Sequence, residues 1–255
     1  MSKPVTIVLA IALWGLVATE AAEDAKTRIK DGIVRGDRHR KAMAVVFTGD
    51  SFAEGGDTIL ETLQRHDVKA SFFLTGNFLR NSKFEGLLKR IVQDGHYLGP
   101  HSDRHLLYLS WTESRLLVSK DEFARDLQGN LKEIAKQGVD RSRIRYWIPP
   151  YEHYNKTIVQ WSQELGLTLI NYSPGTISHA DYTSEHEPNF RSSQQILDSI
   201  LKKEQEDPDG LNGFILLLHI GAGDGRKDKF HLRFEELLNF LITKHYRLLR
   251  VDELL

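Results

Sequence analysis

The 255-residue sequence contains no cysteine. That absence excludes a disulfide framework, a thiolate metal centre, a cysteine nucleophile and a lipid-modified cysteine. An excess of one charge is also missing. Lys and Arg number 34 against 35 Asp and Glu, a net charge of −1. With no basic stripe either, nucleic acid is not an expected partner. The apolar run Val5–Val17 covers 13 residues, short of the roughly 20 needed to cross a bilayer. No internal repeat, low-complexity tract or linker beyond residue 40 divides the chain, so one domain is expected.

What is present starts with the N-terminus. One Lys, the apolar run and then small residues give residues 1–22 the layout of a secretory signal, with cleavage after Ala21 or Ala22. Export to the periplasm or the extracellular space is therefore expected, without stable membrane insertion. Residues 23–40 read as a polar lead-in, and residues 41–255 as the domain.

Within the domain, short apolar runs alternate with helical periodicity. Strand-like runs are Met43–Thr48, Lys69–Leu74, His96–Gly99, Ile144–Pro149, Leu167–Asn171, Phe214–His219 and Tyr246–Val251. Amphipathic stretches between them include 57–66, 83–94 and 121–136. Strands alternating with helices imply an α/β fold of parallel βα units, as a barrel or a doubly wound sheet. The irregular stretch 171–193 is long enough to form a site wall or to be mobile.

In such folds chemistry collects at the carboxyl ends of the strands. Asp50 follows the first strand, His101 and His105 the third, the segment PPYEHYN the fourth, and His219 ends the sixth. Asp50 could be a turn residue, a base or a metal ligand. His101 and His105 are four apart and would share one face if their segment were helical. Two imidazoles and a carboxylate suit Zn²⁺ or a similar divalent metal, with positions left for water. His219 could be a hydrogen-bonded core histidine, but its place on the rim suits a proton donor. Tyr108, Trp111, Trp147, Tyr151 and Tyr154 lie near the rim, where aromatic faces either pack or stack on sugars.

Taken together, the stretches ILETLQRHDVKASFFLTGNFL, GHYLGPHSDRH, PPYE and ILLLH resemble, in order and spacing, the polysaccharide deacetylases of the NodB-homology group, carbohydrate esterase family four. The likeness covers residues 41–255. It implies a distorted (β/α)₇ barrel, an acetylated glycan as substrate, and a divalent metal, Zn²⁺ foremost, held by Asp50, His101 and His105. It also implies His219 as the acid and Leu217 at the acetyl pocket. Pro150, Tyr151 (through its backbone N–H) and Trp147 would lie at the substrate.

The sequence departs from the family pattern twice. Where the family has Thr-Phe-Asp-Asp-Gly, with its first Asp the base, this chain reads Phe47-Thr48-Gly49-Asp50-Ser51. In that register Asp50 is the ligand and Gly49 replaces the base. The Arg that pairs with the base in the third motif is missing too, and Glu152 stands where a small residue is usual. An unpaired buried Arg would be costly, so the two losses fit together. The base function is expected to have moved to Glu152, with Glu54 or Asp57 behind it. Asp181 is the best match for the residue that orients the acid histidine. Cleavage of another C–N bond, or a sugar-binding role without catalysis, are the competing readings.

Overall fold

The computed structural model describes residues 25–255, so the signal-like segment 1–22 lies outside the described residues. In chain order the elements are β1 (Thr27–Ile29), β2 (Gly32–Arg35), β3 (Ala42–Gly49), α1 (Gly56–Arg65), β4 (Ser71–Leu74), α2 (Gly76–Arg80), α3 (Glu85–Gln93) and β5 (Tyr97–Pro100). There follow α4 (Lys120–Lys136), β6 (Tyr146–Trp147), α5 (Lys156–Glu164), β7 (Thr168–Leu169), α6 (Ser193–Glu206), β8 (Ile215–His219), α7 (Phe234–Thr243), β9 (Arg247–Leu248) and α8 (Val251–Leu254).

Seven strands, β3 to β9, make only parallel pairs, as the alternation with helices requires. β5, β4, β3 and β8 lie side by side, β9 pairs with the start of β3, and β6 pairs with β7. Single contacts complete the ring. The Ile148 N–H donates to the Pro100 carbonyl at 3.3 Å and the Asn171 N–H to the Ile33 carbonyl at 2.8 Å. The fold is a distorted α/β barrel, as the alternation of strands and helices and the resemblance imply.

The period of two along the strands divides the core. Met43, Val45 and Phe47 face the helices, while Ala42, Ala44 and Val46 join Ile215, Leu217, Val251 and Leu254 in a second cluster on the inner face. Helix α4 illustrates how the outer layer forms. Ser119 and Glu122 make a reciprocal capping box, and Phe123, Leu127, Leu131 and Ile134 recur at helical spacing on the buried side.

Residues 23–40 are not merely a polar lead-in. β1 and β2 pair antiparallel, and Ile33, Val34 and Arg35 are buried. Ile33 bridges to Ile170 and Arg35 to Phe214, so β2 fills the gap between β7 and β8. Only two consecutive apolar residues, Ile33 and Val34, mark this strand, too few to register as a strand pattern. The first half of segment 171–193 packs into the fold, with Asn171, Ser173, Thr176, Ser178, Asp181 and Thr183 buried and Tyr182 at the cavity, whereas residues 185–189 are exposed.

Candidate active site

A cavity of about 460 Å³ opens at the carboxyl ends of β3, β5 and β8. Asp50, His101, His105, Tyr151, Glu152 and His219 all line it. The structure thus gathers six of the predicted residues into one place.

The turn carrying the two histidines is held from behind by α4. Asn130 accepts the His101 N–H at 2.8 Å and donates to the Leu74 carbonyl at 3.1 Å. One turn earlier, Asp126 accepts from the Asp103 and Arg104 N–H groups and, at 2.7 Å, from the Tyr108 hydroxyl. The turn is not helical, contrary to the condition placed on the four-residue spacing. Ser102 and His105 have φ of 71° and 56°, and the Ser102 hydroxyl takes the His105 N–H at 2.9 Å. The two rings nonetheless stand 5.1 Å apart, centre to centre.

Protonation states follow from these contacts. Burial, then the neighbouring His105, drives the His101 imidazole well below its usual range. Burial also lowers His105. Both rings are therefore neutral near pH 7. The Nδ1–H of His101 donates to the Ile148 carbonyl at 2.9 Å, leaving Nε2 as the free lone pair. Burial works to raise the Asp50 carboxyl, but hydrogen bonds from Ser51, Thr75 and Asn77, together with His105 once acid protonates it, outweigh burial and hold the carboxyl below its ordinary value.

Among the described residues no three metal-capable groups stand close enough to hold an ion as placed. The donors themselves fit: one ionised carboxylate and two neutral imidazoles, one already oriented by a backbone carbonyl.

Across the cavity His219 ends β8. Its Nδ1 lies 2.6 Å from one Asp181 oxygen, and its backbone N–H donates to the other at 2.8 Å. Burial acts to lower the imidazole's pKa, but the Asp181 charge and hydrogen bond prevail and raise it. Glu152 follows Tyr151 in a tight turn where both residues have positive φ, 59° and 53°, a conformation that side-chain-bearing residues adopt at a cost. Burial pushes the Glu152 carboxyl up to about 7; the His219 charge opposes this and Asp181 adds to it.

Other expectations are corrected. Trp147 is 0% exposed, packed on Tyr108 and Phe123, and cannot stack on a substrate. Leu217 and Pro150 are buried and absent from the cavity lining. Leu217 sits on the same strand face two residues below His219. Tyr108 and Tyr154 are also buried. Glu54 is occupied, accepting from the Ala222 and Gly223 N–H groups and from Lys229. Asp57 lies outside the cavity, paired with Arg90.

The backbone direction at position 49 adds to the sequence reading of Gly49. A Cβ on Gly49 would point at Ile220 (2.6 Å), Leu74 (3.0 Å) and Phe78 (3.2 Å), side chains of the outer core. Thr48 lies on the inner strand face, in register with His219 on β8. In this backbone a carboxylate at 49 would start towards the outer core rather than the cavity.

Sequence reasoning missed Phe52 and Tyr182, exposed aromatics that line the cavity, and the Asp126–Asn130 support. The last pair had a signal: two polar residues four apart on the apolar side of a helix.

Comparison with known proteins bears on the family and the fold. The family model described as polysaccharide deacetylase matches residues 35–170. The chain belongs to the polysaccharide deacetylase family. It is 26% identical over 221 residues to an uncharacterized 30.6 kDa protein of Geobacillus stearothermophilus, covering 86% of this chain and 72% of that one. Over 138 residues it is 30% identical to the peptidoglycan-N-acetylglucosamine deacetylase PgdA of Listeria monocytogenes, covering 53% of this chain but 26% of that protein. Among solved structures, a carbohydrate esterase family 4 pseudoenzyme from Bacillus anthracis superposes with a TM-score of 0.68. It is 20% identical, and the match covers 89% of this chain and 69% of that one.

Proposed function

We propose that this protein is an exported hydrolase that removes acetyl groups from a polysaccharide or oligosaccharide. The observation that carries the proposal is the meeting, in one cavity, of a carboxyl raised to about 7 and an imidazole raised by its own carboxylate. Groups whose environments tune them in this way supply a base and an acid near neutral pH. The name of the Listeria relative, a deacetylase of N-acetylglucosamine in peptidoglycan, supports an acetylated cell-wall-type glycan as the substrate class.

In this reading Glu152 takes the proton of the attacking water. His219, held by Asp181, gives a proton to the departing amine or alkoxide. Tyr151 offers its backbone N–H to the developing oxyanion. Trp111, Tyr182 and Phe52 supply exposed aromatic faces around the opening, at 60, 47 and 52% exposure, which suit a sugar ring. Asp50, His101 and His105 would hold a divalent metal, Zn²⁺ foremost; when bound, such an ion polarises a carbonyl and makes bound water more acidic.

The test is acetate release from N-acetylated and O-acetylated oligosaccharides, zinc-loaded and after chelation. Chelator-sensitive release supports the reading, and the substrate that responds identifies the linkage. A second reading, a sugar-binding protein without turnover, draws on Gly49: nothing carboxylic occupies the family's usual base position. Oligosaccharide binding without acetate release from any substrate would favour it.

A further inference from the structure

Arg226 is the most unusual buried group outside the cavity lining. It is 0% exposed, and no carboxylate stands within hydrogen-bonding distance. Asp228, the nearest acid, is 4.0 Å away and half exposed, and it is engaged with the Ser193 N–H at 2.6 Å. Burying a guanidinium costs several kcal/mol unless its donors are satisfied. Here five hydrogen bonds satisfy it. Nε donates to the Asp228 carbonyl. One terminal nitrogen donates to the carbonyls of Thr183 at 2.8 Å and Ala180 at 3.5 Å. The other donates to the Arg191 carbonyl at 2.9 Å and the Ser193 hydroxyl at 3.3 Å. The Phe190 ring covers its face at 5.1 Å.

Nearly all these partners belong to the wall segment 180–193, and two of them, Ala180 and Thr183, bracket Asp181. Asp181 in turn holds both the backbone N–H and the ring of His219. Arg226 lies seven residues beyond His219 on the same excursion of chain. The guanidinium therefore ties the segment that carries Asp181 back to the segment that carries His219. We propose that Arg226 is a positioning residue that fixes the Asp181 carboxylate against His219 by clamping the carbonyls on either side of it. It touches no reacting atom. A planar fork of five donors suits several carbonyls at once, which neither Lys nor Gln can match. The inference rests on the deacetylase reading only for the role of His219 in turnover; the clamp itself is independent of it.

The experiment compares wild type, Arg226→Gln, Arg226→Lys and Asp181→Asn by NMR of the His219 Nδ1–H, with circular dichroism to verify folding. Wild type is expected to show a far-downfield Nδ1–H signal from the short bond to Asp181. Folded R226Q should lose or broaden that signal as D181N does, with R226K intermediate. In acetate release, kcat of R226Q should fall about 100-fold with KM changed little, as expected for a misplaced catalytic group. A folded R226Q or R226K with the wild-type His219 signal overturns the proposal. If both variants fail to fold, Arg226 serves the fold as a whole and the positioning role is likewise overturned. Absence of acetate release from wild type would count against the deacetylase reading, whereas the NMR comparison would still decide the clamp.

Discussion

Replacing Glu152 by Gln separates the electrostatics of the site from its chemistry. The wild-type carboxyl is raised from 4.5 to about 7, chiefly by burial. At about 1.4 kcal/mol per tenfold change in proton affinity, keeping it ionised in the folded protein costs about 3 kcal/mol. The sign follows from linkage. Below pH 4.5 the carboxyl is protonated folded and unfolded, and contributes nothing. Between 4.5 and 7 the folded state binds more protons, so wild-type stability falls as pH rises; above 7 the penalty is complete. Gln carries no such penalty. Denaturant melts of the metal-free proteins should therefore show E152Q equal to wild type at pH 4 and about 3 kcal/mol more stable at pH 8. Acetate release by the same variant should fall about 10²- to 10⁴-fold, the usual contribution of a general base. A stability difference that does not change between pH 4 and 8 would refute the electrostatic argument. Undiminished turnover would refute the assignment of the base.

Other outcomes follow from the same geometry. Asp181→Asn removes the interaction that outweighs burial at His219, so the imidazole pKa should drop below the ordinary 6.5, measured by NMR titration, and turnover should fall with it. Gly49→Asp should not create a base. Its Cβ would press on Ile220 and Leu74, so a loss of about 1–3 kcal/mol is expected in denaturant melts, with no gain in acetate release. Asp126→Ala strips the acceptor from two backbone N–H groups and a buried tyrosine. It should cost about 2–4 kcal/mol and weaken zinc binding, read by calorimetry, because the His101–His105 turn loses its support.

Most of the barrel was legible because buried parallel strands are written as short apolar runs, and all seven runs became strands. The rim was legible for the same reason: polar residues that end such runs must surface together. Side-chain direction was not. Thr48 and Gly49 differ only in which face of β3 they occupy, and that depends on strand pairing rather than on composition. Trp147, Tyr108 and Tyr154 sit close to the rim in sequence, yet Phe123 of α4 packs on the first two and the β1–β2 hairpin covers the third. Burial at a barrel mouth is set by the packing of distant segments such as α4. The β2 strand escaped notice because two apolar residues and a bridge on either side suffice to seat it. Asp181 was singled out from a weak motif, whereas the contacts of Arg226 with the carbonyls beside it are long-range, and no local pattern encodes them.

The measurement that bears most directly on the account is the pH profile of acetate release by the zinc-loaded protein on an N-acetylated oligosaccharide, for wild type and E152Q. The account predicts a bell for wild type. Its rising limb follows the ionisation of Glu152, and its falling limb lies above 6.5 as His219 loses its proton. The rising limb should be lost in E152Q. No acetate release at any pH, or the same profile in both proteins, would contradict it.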